Sequence, residues 1–159
     1  MTQSEKHRQA ASSAWSALLR VHANLVPRLD AELRRGFGLP LAWYDVLLEL
    51  DGVEPLRMTD LGERVVLSRT RVSRLVTEMA AAGLVVREAN PDDGRSAFVA
   101  ITDAGRERLH AAAPSYLASV QDSFADKLDA DELHALAATL GKILGPTELT
   151  IAPRRQRSS

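Results

Sequence analysis

The chain contains no cysteine among its 159 residues. This absence excludes disulfides, cysteine nucleophiles, cysteine zinc sites and thiol redox switches, and it fits a reducing compartment. Residues 1–9 lack the apolar core of a signal peptide, and no later run approaches the ~20 apolar residues that a membrane span requires. From these absences we expect a cytoplasmic protein without a membrane segment.

Sequence motifs for catalysis and metal binding are also lacking. There is no HExxH, no G-x-S-x-G and no phosphate-binding glycine loop. Four carboxylates near the middle of the chain are interpreted as capping or solvated charges: Glu63, Glu78, Asp92 and Asp93. The histidines are scattered without an H-x-x-x-H pair: His7, His22, His110 and His134. We therefore expect neither an enzyme nor a cofactor or metal protein.

The formal net charge is only −1, whereas most nucleic-acid-binding domains carry a clear basic excess. The distribution of charge is more informative than its sum. Between Arg64 and Thr77 there are four arginines and no acidic residue, while acidic residues lie in the flanking segments. This pattern predicts a local basic face on a nearly neutral protein. The 45% hydrophobic content is enough for one compact domain spanning 1–159.

The first part of the chain is predicted to form two helices. Residues 8–35 have helical apolar spacing that stops at Gly36, and Pro27 in the interior predicts a kink. A second helix is predicted from Pro40 to about Leu50. Its predicted apolar face comprises Leu41, Tyr44, Leu47 and Leu48.

Two short helices are predicted next, separated by a very short turn. Thr59 is the expected N-cap of the third helix and Ser68 that of the fourth. In the fourth helix, Val72, Val76 and Met79, with Leu75, follow the i, i+3, i+4, i+7 spacing of a buried face. The remaining side chains then face outward: Ser68, Arg69, Thr70, Arg71, Ser73, Arg74 and Thr77.

This arrangement predicts a helix-turn-helix that reads duplex DNA. In the major groove, arginines can bind guanine edges, while hydroxyls and the helix N-terminus can bind phosphates. Arg71 occupies the third helical position, where a capping box would have Glu. An arginine there is explained if this end of the helix approaches phosphates, which would repel a carboxylate.

The segment after the fourth helix is predicted to form a hairpin. Two β-type runs, residues 85–89 and 97–101, are joined by the turn-rich link NPDDGRS. Its polar tip carries Arg95, as a wing does when it delivers a cation to an adjacent minor groove. An ordinary exposed hairpin is the alternative interpretation.

The C-terminal part is predicted to contain two further helices. Thr102 opens a fifth helix that extends to about Lys127 and is bent or interrupted at Pro114, and DADE at 129–132 is a capping-box pattern for a sixth. Residues 152–159 are predicted to be a disordered basic tail.

These residues resemble the MarR-type transcriptional regulators of bacteria. The matching stretches are LRMTDLGERVVLSRTRVSRLVTEMAAAGLVVRE at 56–88, DGR at 93–95 and FVAITDAGRERL at 98–109. The resemblance implies a mainly α fold: a DNA-binding winged helix-turn-helix lobe at about 56–102, with dimerisation helices at about 8–35 and 103–145. It also implies that the Asp93 side chain orients that of Arg95. One position differs from the family pattern: the chain has Gly62 where the family usually has a small helix former such as Ala.

The resemblance further implies a homodimer that binds a palindromic operator, as a repressor released by a small aromatic acid or phenolic effector. The terminal helices carry apolar stripes, which agrees with their pairing across a homodimer. Packing of these stripes onto the first helix of the same chain is the alternative. Four residues are candidates to line the effector crevice: Trp15, His22, Trp43 and Tyr44. For the tryptophans, a core or dimer-interface position is the alternative.

Two other functions compatible with the same fold remain open. One is a winged-helix module that binds another protein, and the other is a nonspecific architectural DNA binder. The absence of acidic residues from the exposed face between Arg64 and Thr77 favours DNA over a protein partner. Selection of binding sites from random duplexes separates specific from architectural binding.

Overall fold

A computed structural model describes residues 2–65, 69–90 and 93–144, and for Arg69, Asn90 and 93–96 it describes the backbone alone. Within these ranges the chain forms six α-helices, three strands and one 3-10 turn. They are α1 (Gln3–Phe37), α2 (Leu41–Leu50), β1 (Leu56–Arg57), α3 (Met58–Arg64), α4 (Arg69–Ala81), β2 (Val85–Asn90), β3 (Asp93–Ile101), α5 (Asp103–Ser123), the 3-10 turn (Ala125–Lys127) and α6 (Ala130–Leu144). The predicted fold class, a mainly α winged helix-turn-helix with long terminal helices, is confirmed.

Helix α1 is longer than predicted and has no break. It begins at Gln3 because Thr2 and Glu5 form a reciprocal capping box: the Thr2 hydroxyl accepts the Glu5 amide and the Glu5 carboxylate accepts the Thr2 amide. The helix continues through Pro27, so the single lost hydrogen bond does not divide it. It ends at Phe37, and the following Gly38, with φ of 60°, supplies the left-handed C-cap conformation.

The hydrophobic core lies where α2, α3, α4 and the sheet meet the adjoining ends of α1 and α5. Its members include Leu33 of α1, Leu47 of α2 and Leu109 of α5. On α2 the buried face is Tyr44, Val46, Leu47 and Leu50. The predicted inclusion of Leu48 was wrong, because this side chain is 37% exposed.

The helix-turn-helix consists of α3 and α4, with residues 66–68 outside the described ranges. The predicted start of α3 was wrong. Arg57, at the end of β1, occupies the N-cap position, and Thr59 lies inside the first turn, where its hydroxyl donates to the adjacent Asp60 carboxylate at 3.1 Å. Leu61 of α3 and Val65 at the C-terminal end of this helix are buried in the core.

The wing is an antiparallel sheet with strand order β1-β3-β2. Val85 pairs with Ile101, and Asn90 pairs with Asp93 after a register irregularity at Ala89 and Asn90. The hairpin prediction is confirmed, although the strands extend closer to the tip than predicted. Strand β1 joins the free edge of β3, with Leu56 opposite Val99, so the wing is tied to the start of α3.

The C-terminal helices begin where the sequence indicates but are divided differently. Thr102 caps α5, which continues through Pro114, so of the two predicted alternatives at this proline an interruption is excluded. The helix ends at Ser123, so the predicted end near Lys127 was wrong. Asp129 and Glu132 accept each other's backbone amides at 2.8 and 2.9 Å, which confirms the capping box before α6. Residues 145–159, including the predicted tail, lie outside the described residues.

Large apolar side chains remain exposed on the terminal helices. Trp15 is 62% exposed and Ile143 is 77% exposed, and α6 has no fully buried residue. Other exposed members on these helices are Leu18, Leu19, Val21, Leu117 and Leu144. In the described part of the chain, none of the helices combines the length and apolarity needed to cross a bilayer.

Candidate nucleic-acid interface

Helix α4 has one buried and one exposed face, as its sequence predicts. Val72, Val76 and Met79 are at most 1% exposed and belong to the core. The predicted fourth core position, Leu75, is half-buried, and so is the predicted outward Ser73. Four side chains of the opposite face lie in solvent: Thr70, Arg71, Arg74 and Thr77. The core therefore fixes the rotation of α4 and directs two arginines outward.

Four of the predicted DNA-binding side chains lie outside the described part of the structure. Ser68 lies outside the described residues, as do the side chains of Arg69, Asp93 and Arg95. The backbone of Asp93 and Arg95 belongs to β3, so these residues lie near the tip of the hairpin, as the wing prediction requires. Their roles stay predictions from the sequence.

The exposed face of α4 contains an ion pair that we did not predict. The Nε of Arg74 donates to Oε1 of Glu78 at 3.1 Å, one helical turn further along. Together with Thr70, Arg71 and Leu75, this pair lines an open depression of about 500 Å³. The interpretation of Glu78 as a merely solvated charge was therefore incomplete. The i, i+4 spacing of Arg and Glu is a signal that could have found the pair.

The C-terminal end of α4 is fixed by a Schellman motif. The Leu84 amide donates to the Met79 carbonyl and the Gly83 amide to the Ala80 carbonyl, each at 3.0 Å. Gly83 has φ of 75°, a conformation that glycine adopts without steric cost. Leu84 and Met79 both belong to the core, so the turn that leads into the wing is anchored.

Helix α5 is joined directly to this turn through Thr102 and Gly105. The Thr102 hydroxyl donates to the Gly83 carbonyl at 2.7 Å and accepts the Gly105 amide at 3.0 Å. A Cβ on Gly105 would lie 2.1 Å from the Leu84 carbonyl oxygen, so only glycine permits this approach. The sequence identifies Thr102 as a cap but gives no sign of why Gly105 is needed. The two residues set the position of the long helix relative to α4.

A second link to α5 comes from the end of α2. The Asp51 carboxylate accepts from Arg106 Nε at 3.2 Å and lies 3.0 Å from His110 Nε2. Arg106 also pairs with Asp103 at 3.0 Å. Because these groups remain partly exposed, each contact is weak alone, but together they orient α2 against α5.

The junction of α1 and α2 is held by Asp30. Its carboxylate accepts the Leu41 amide at 2.8 Å and Arg34 Nε at 2.6 Å. Partial burial alone would raise the pKa of Asp30, but hydrogen bonds from Arg34 and Leu41, with the charge of Arg34, lower it overall. Pro40 provides no side-chain cap, so Asp30 caps α2 from another helix.

The four predicted effector-binding residues do not form one site within the chain. Tyr44 is 3% exposed and its ring lies 4.6 Å from that of Tyr116, measured between centroids. Trp43 is half-buried against the core, whereas Trp15 and His22 are exposed on α1. At about 1.5 Å rise per residue, Trp15 lies roughly 27 Å along α1 from the core residue Leu33. None of the four lines the depression on α4.

Two titratable groups of α2, Tyr44 and Asp45, have raised pKa values. Burial raises the pKa of Tyr44 to about 12, with smaller contributions from Tyr116 and Asp45. Desolvation by the surrounding protein raises the pKa of Asp45 to about 6, and the charge of Glu49 adds to this increase. The Tyr44 hydroxyl is neutral at physiological pH, and α2 contains no basic residue that could attract an anion.

Taken together, α3, α4 and the hairpin form a winged helix-turn-helix with an exposed arginine-bearing helix, which is the arrangement of proteins that bind duplex DNA. A sequence profile of the MarR family matches residues 37–96. The chain is 30% identical over 132 residues to an uncharacterized HTH-type transcriptional regulator of Bacillus cereus, covering 83% of this chain and 87% of that protein.

Solved structures agree with this assignment. The MarR family regulator AbsC of Streptomyces coelicolor is 32% identical and superposes with a TM-score of 0.76 over 90% of this chain and 93% of its own. Sco3205 from the same organism, solved in complex with DNA, is 29% identical, with a TM-score of 0.79 over 85% and 88% of the two chains. The chain belongs to the MarR family and is a DNA-binding transcriptional regulator.

Proposed function

We propose that the protein is a cytoplasmic repressor that binds a palindromic operator as a homodimer. One α4 helix of the dimer enters the major groove in each half-site. The main support for the proposal is that α4 has one buried and one exposed face. Val72, Val76 and Met79 are buried, and this orientation leaves Arg71 and Arg74 in solvent on the opposite face. A helix oriented in this way presents guanidinium and hydroxyl groups to base edges and phosphates.

The wing supplies the second contact in this proposal. Arg95, oriented by Asp93, enters the minor groove beside the half-site, while Ser68 and Arg69 bind phosphates at the start of α4. The support is the position of Asp93 and Arg95 in β3, at the hairpin end distant from the core.

Dimerisation is supported by the apolar surface of the terminal helices. Trp15, Leu19 and Val21 on α1 and Ile143 on α6 are exposed in the single chain. Monomeric soluble proteins rarely expose large contiguous apolar patches, and a second copy is the partner that the two-fold symmetry of an operator requires. In the dimer, the recognition helices are one duplex turn apart, at roughly 34 Å.

We propose in addition that a small aromatic acid releases the protein from DNA. Trp15 is 62% exposed and Trp43 is half-buried, but Trp43 packs against the core, whereas Trp15 lies roughly 27 Å along α1 from the core residue Leu33. In this proposal the effector crevice therefore forms where the two protomers meet, with His22 on the same helix as Trp15. An effector that prefers a dimer with altered lobe spacing lowers DNA affinity by its differential binding.

The dependence of duplex affinity on salt tests the DNA-binding proposal against a protein-binding module. A dimer that neutralises about six phosphates should lose roughly three orders of magnitude in affinity between 50 and 200 mM salt. Fluorescence anisotropy with a labelled duplex measures this slope. A flat response would contradict the proposal, and a steep slope with equal affinity for all sequences would indicate architectural binding.

A further inference from the structure

The ion pair between Arg74 and Glu78 lies on the face of α4 proposed to enter the major groove. The side chains are 83% and 46% exposed, and the pair joins Nε of Arg74 to Oε1 of Glu78 at 3.1 Å. Both residues line the same open depression as Thr70 and Arg71. Glu78 therefore places a negatively charged carboxylate on the surface that we propose binds DNA, which is itself a polyanion.

Helix stability does not explain the presence of Glu78. An exposed pair at i, i+4 stabilises a helix only slightly, and an acidic residue C-terminal to its basic partner is the weaker orientation. Glu78 also begins the last turn of α4, which ends at Ala81, where the partial negative charge of the helix end disfavours a carboxylate. The choice of Glu at this position therefore requires another reason.

The ion pair with Glu78 leaves the terminal guanidinium nitrogens of Arg74 available as hydrogen-bond donors. Because Glu78 occupies the Nε–H of Arg74, the two terminal nitrogens remain, and neither has a partner within the part of the chain that the structure describes. These terminal nitrogens form the planar fork that can bind guanine O6 and N7 together. An arginine already held at Nε also loses less conformational freedom when it binds.

We propose that Glu78 is a positioning residue that holds Arg74 for bidentate recognition of a guanine. The proposal rests on the proposed major-groove placement of α4. The carboxylate has a second effect, because its charge repels phosphates and weakens binding to sequences where Arg74 has no guanine. Glu78 thereby lowers affinity for DNA in general while it increases the preference for the correct base.

The test compares variants on an operator obtained from the wild-type full-length dimer by selection from random duplexes. Arg74→Ala identifies the base pair that Arg74 reads, as the position whose guanine preference disappears. At this position we expect Glu78→Ala to lower the preference for guanine by about threefold or more, out of the roughly 5- to 150-fold that a bidentate contact provides. The affinity of Glu78→Ala for unrelated duplexes should rise.

Two further variants separate positioning from charge. Glu63→Ala removes an equal charge from an exposed site on α3 that forms no ion pair with Arg74 among the described residues, so it should leave the guanine preference unchanged. Glu78→Gln keeps an oxygen that can accept the Nε–H, so it should retain more preference than Glu78→Ala. Alanine is a good helix former at these exposed positions, so each variant should remain folded, which circular dichroism checks.

The remaining outcomes overturn the proposal in distinguishable ways. Glu78→Ala and Glu63→Ala could raise the affinity equally for every sequence and leave the guanine preference unchanged. This result would show that Glu78 acts only through its charge. A uniform loss with Arg74→Ala would place Arg74 on phosphates, which overturns the role of Glu78 but leaves the proposed function intact. Failure of the wild type to select any sequence would contradict both.

Discussion

Arg71 is exposed on α4 and has no ion-pair partner among the described residues, so its charge is available to a phosphate. We predict that Arg71→Glu lowers operator affinity on the order of 100-fold, because a favourable contact in each half-site becomes a repulsion. Thermal unfolding should be unchanged within about 0.5 kcal/mol, as is usual for exposed substitutions. Anisotropy titration measures the affinity.

The matched control for this prediction is Arg8→Glu. Arg8 is also an exposed helical arginine, but it lies near the start of α1, far along the chain from the recognition helix. The control changes the net charge equally and should leave operator affinity within a few-fold of wild type. Equal losses in both variants would mean that α4 has no special role.

Gly105 is the position where one added methyl group has the largest expected effect on the fold. Its Cβ would lie 2.1 Å from the Leu84 carbonyl oxygen and 2.9 Å from Ile101 Cγ1, so the start of α5 must move away from the wing. We predict that Gly105→Ala lowers the free energy of unfolding by about 2 kcal/mol or more. Urea denaturation followed by circular dichroism measures the loss.

Gly36 provides the control for Gly105. It lies inside α1, and an added Cβ meets no atom within 4 Å in the part of the chain that the structure describes. Gly36→Ala should therefore stabilise the protein, by about 0.5–1 kcal/mol, because alanine loses less backbone entropy in a helix. A neutral effect of Gly105→Ala would show that the α4–α5 joint is looser than the structure indicates.

At this scale, the sequence predicts side-chain direction better than side-chain partners. The helical period alone placed Arg71 and Arg74 outward, because a helix with one apolar stripe has one orientation against a core. Contacts between distant segments, such as Gly105 with Leu84, depend on how helices approach each other. No local pattern contains that information.

At the scale of elements, the start of α2 depends on a residue of another helix. Asp30 accepts the Leu41 amide that Pro40 leaves without a side-chain cap. We predict that Asp30→Ala destabilises the protein by about 1 kcal/mol at pH 7, a value typical of a lost N-cap. Asp30→Asn, which keeps an acceptor oxygen without the charge, should lose less. Thermal unfolding of the three proteins measures the differences.

The pH dependence of this effect follows from the lowered pKa of Asp30. A carboxyl whose pKa is lower in the folded state binds fewer protons there than in the unfolded chain, so its ionised form contributes stability. That contribution is complete above the unfolded pKa and disappears as the pH falls through the folded value. The difference between wild type and Asp30→Ala should shrink toward pH 3. A difference independent of pH would contradict a role for the charge.

The boundaries of elements were predicted less well than their existence. Neither internal proline ends its helix: α1 continues through Pro27, where the sequence predicts a kink, and α5 continues through Pro114, where it predicts a bend or an interruption. The loss of one backbone hydrogen bond leaves the surrounding ones intact. Thr59 has the side chain of an N-cap, but pairing of β1 with β3 places Arg57 at that position instead. Tertiary pairing overrode a local preference.

At the scale of the whole molecule, the exposed apolar residues of α1 and α6 predict the oligomeric state. Leu19→Glu and Ile143→Glu each place a charge on a surface that we assign to the dimer interface, where an unpaired buried charge is strongly unfavourable. We predict that the double variant is a folded monomer with at least about tenfold weaker operator affinity. Analytical ultracentrifugation measures the mass.

Val86→Glu is the control for the oligomeric state. Val86 is an exposed apolar residue of the wing strand β2 and lies outside the terminal helices. This variant should keep the mass of the wild-type dimer. A monomeric wild type, or a dimer that survives both substitutions on the terminal helices, would contradict the proposed interface.

The effector proposal is tested with the intrinsic fluorescence of the protein. Trp15 and Trp43 are the two tryptophans of the chain, so Trp15→Phe and Trp43→Phe each isolate one of them. With salicylate as the probe, we predict that both tryptophans report binding over the same concentration range that releases DNA. Release of DNA without a change at either tryptophan would place the effector elsewhere.

The winged helix-turn-helix fold of the chain was predicted from the sequence, whereas the effector crevice stays a prediction. Helical and strand periodicity with turn residues defined the lobe, whereas the grouping of Trp15 with Tyr44 ignored the length of α1 and the burial of Tyr44 against Tyr116. A binding site formed between two copies of a chain is hard to predict from the sequence, because each copy supplies only part of its lining.

Selection of binding sites from random duplex DNA by the wild-type protein tests whether the chain is a sequence-specific, dimeric regulator. We predict enrichment of two-fold symmetric sites whose half-site centres are about 10 base pairs apart. We also predict that Arg71→Glu enriches no sequence under the same conditions. Enrichment of single, asymmetric half-sites would contradict the dimeric arrangement, and no enrichment by the wild type would contradict sequence-specific regulation by α4.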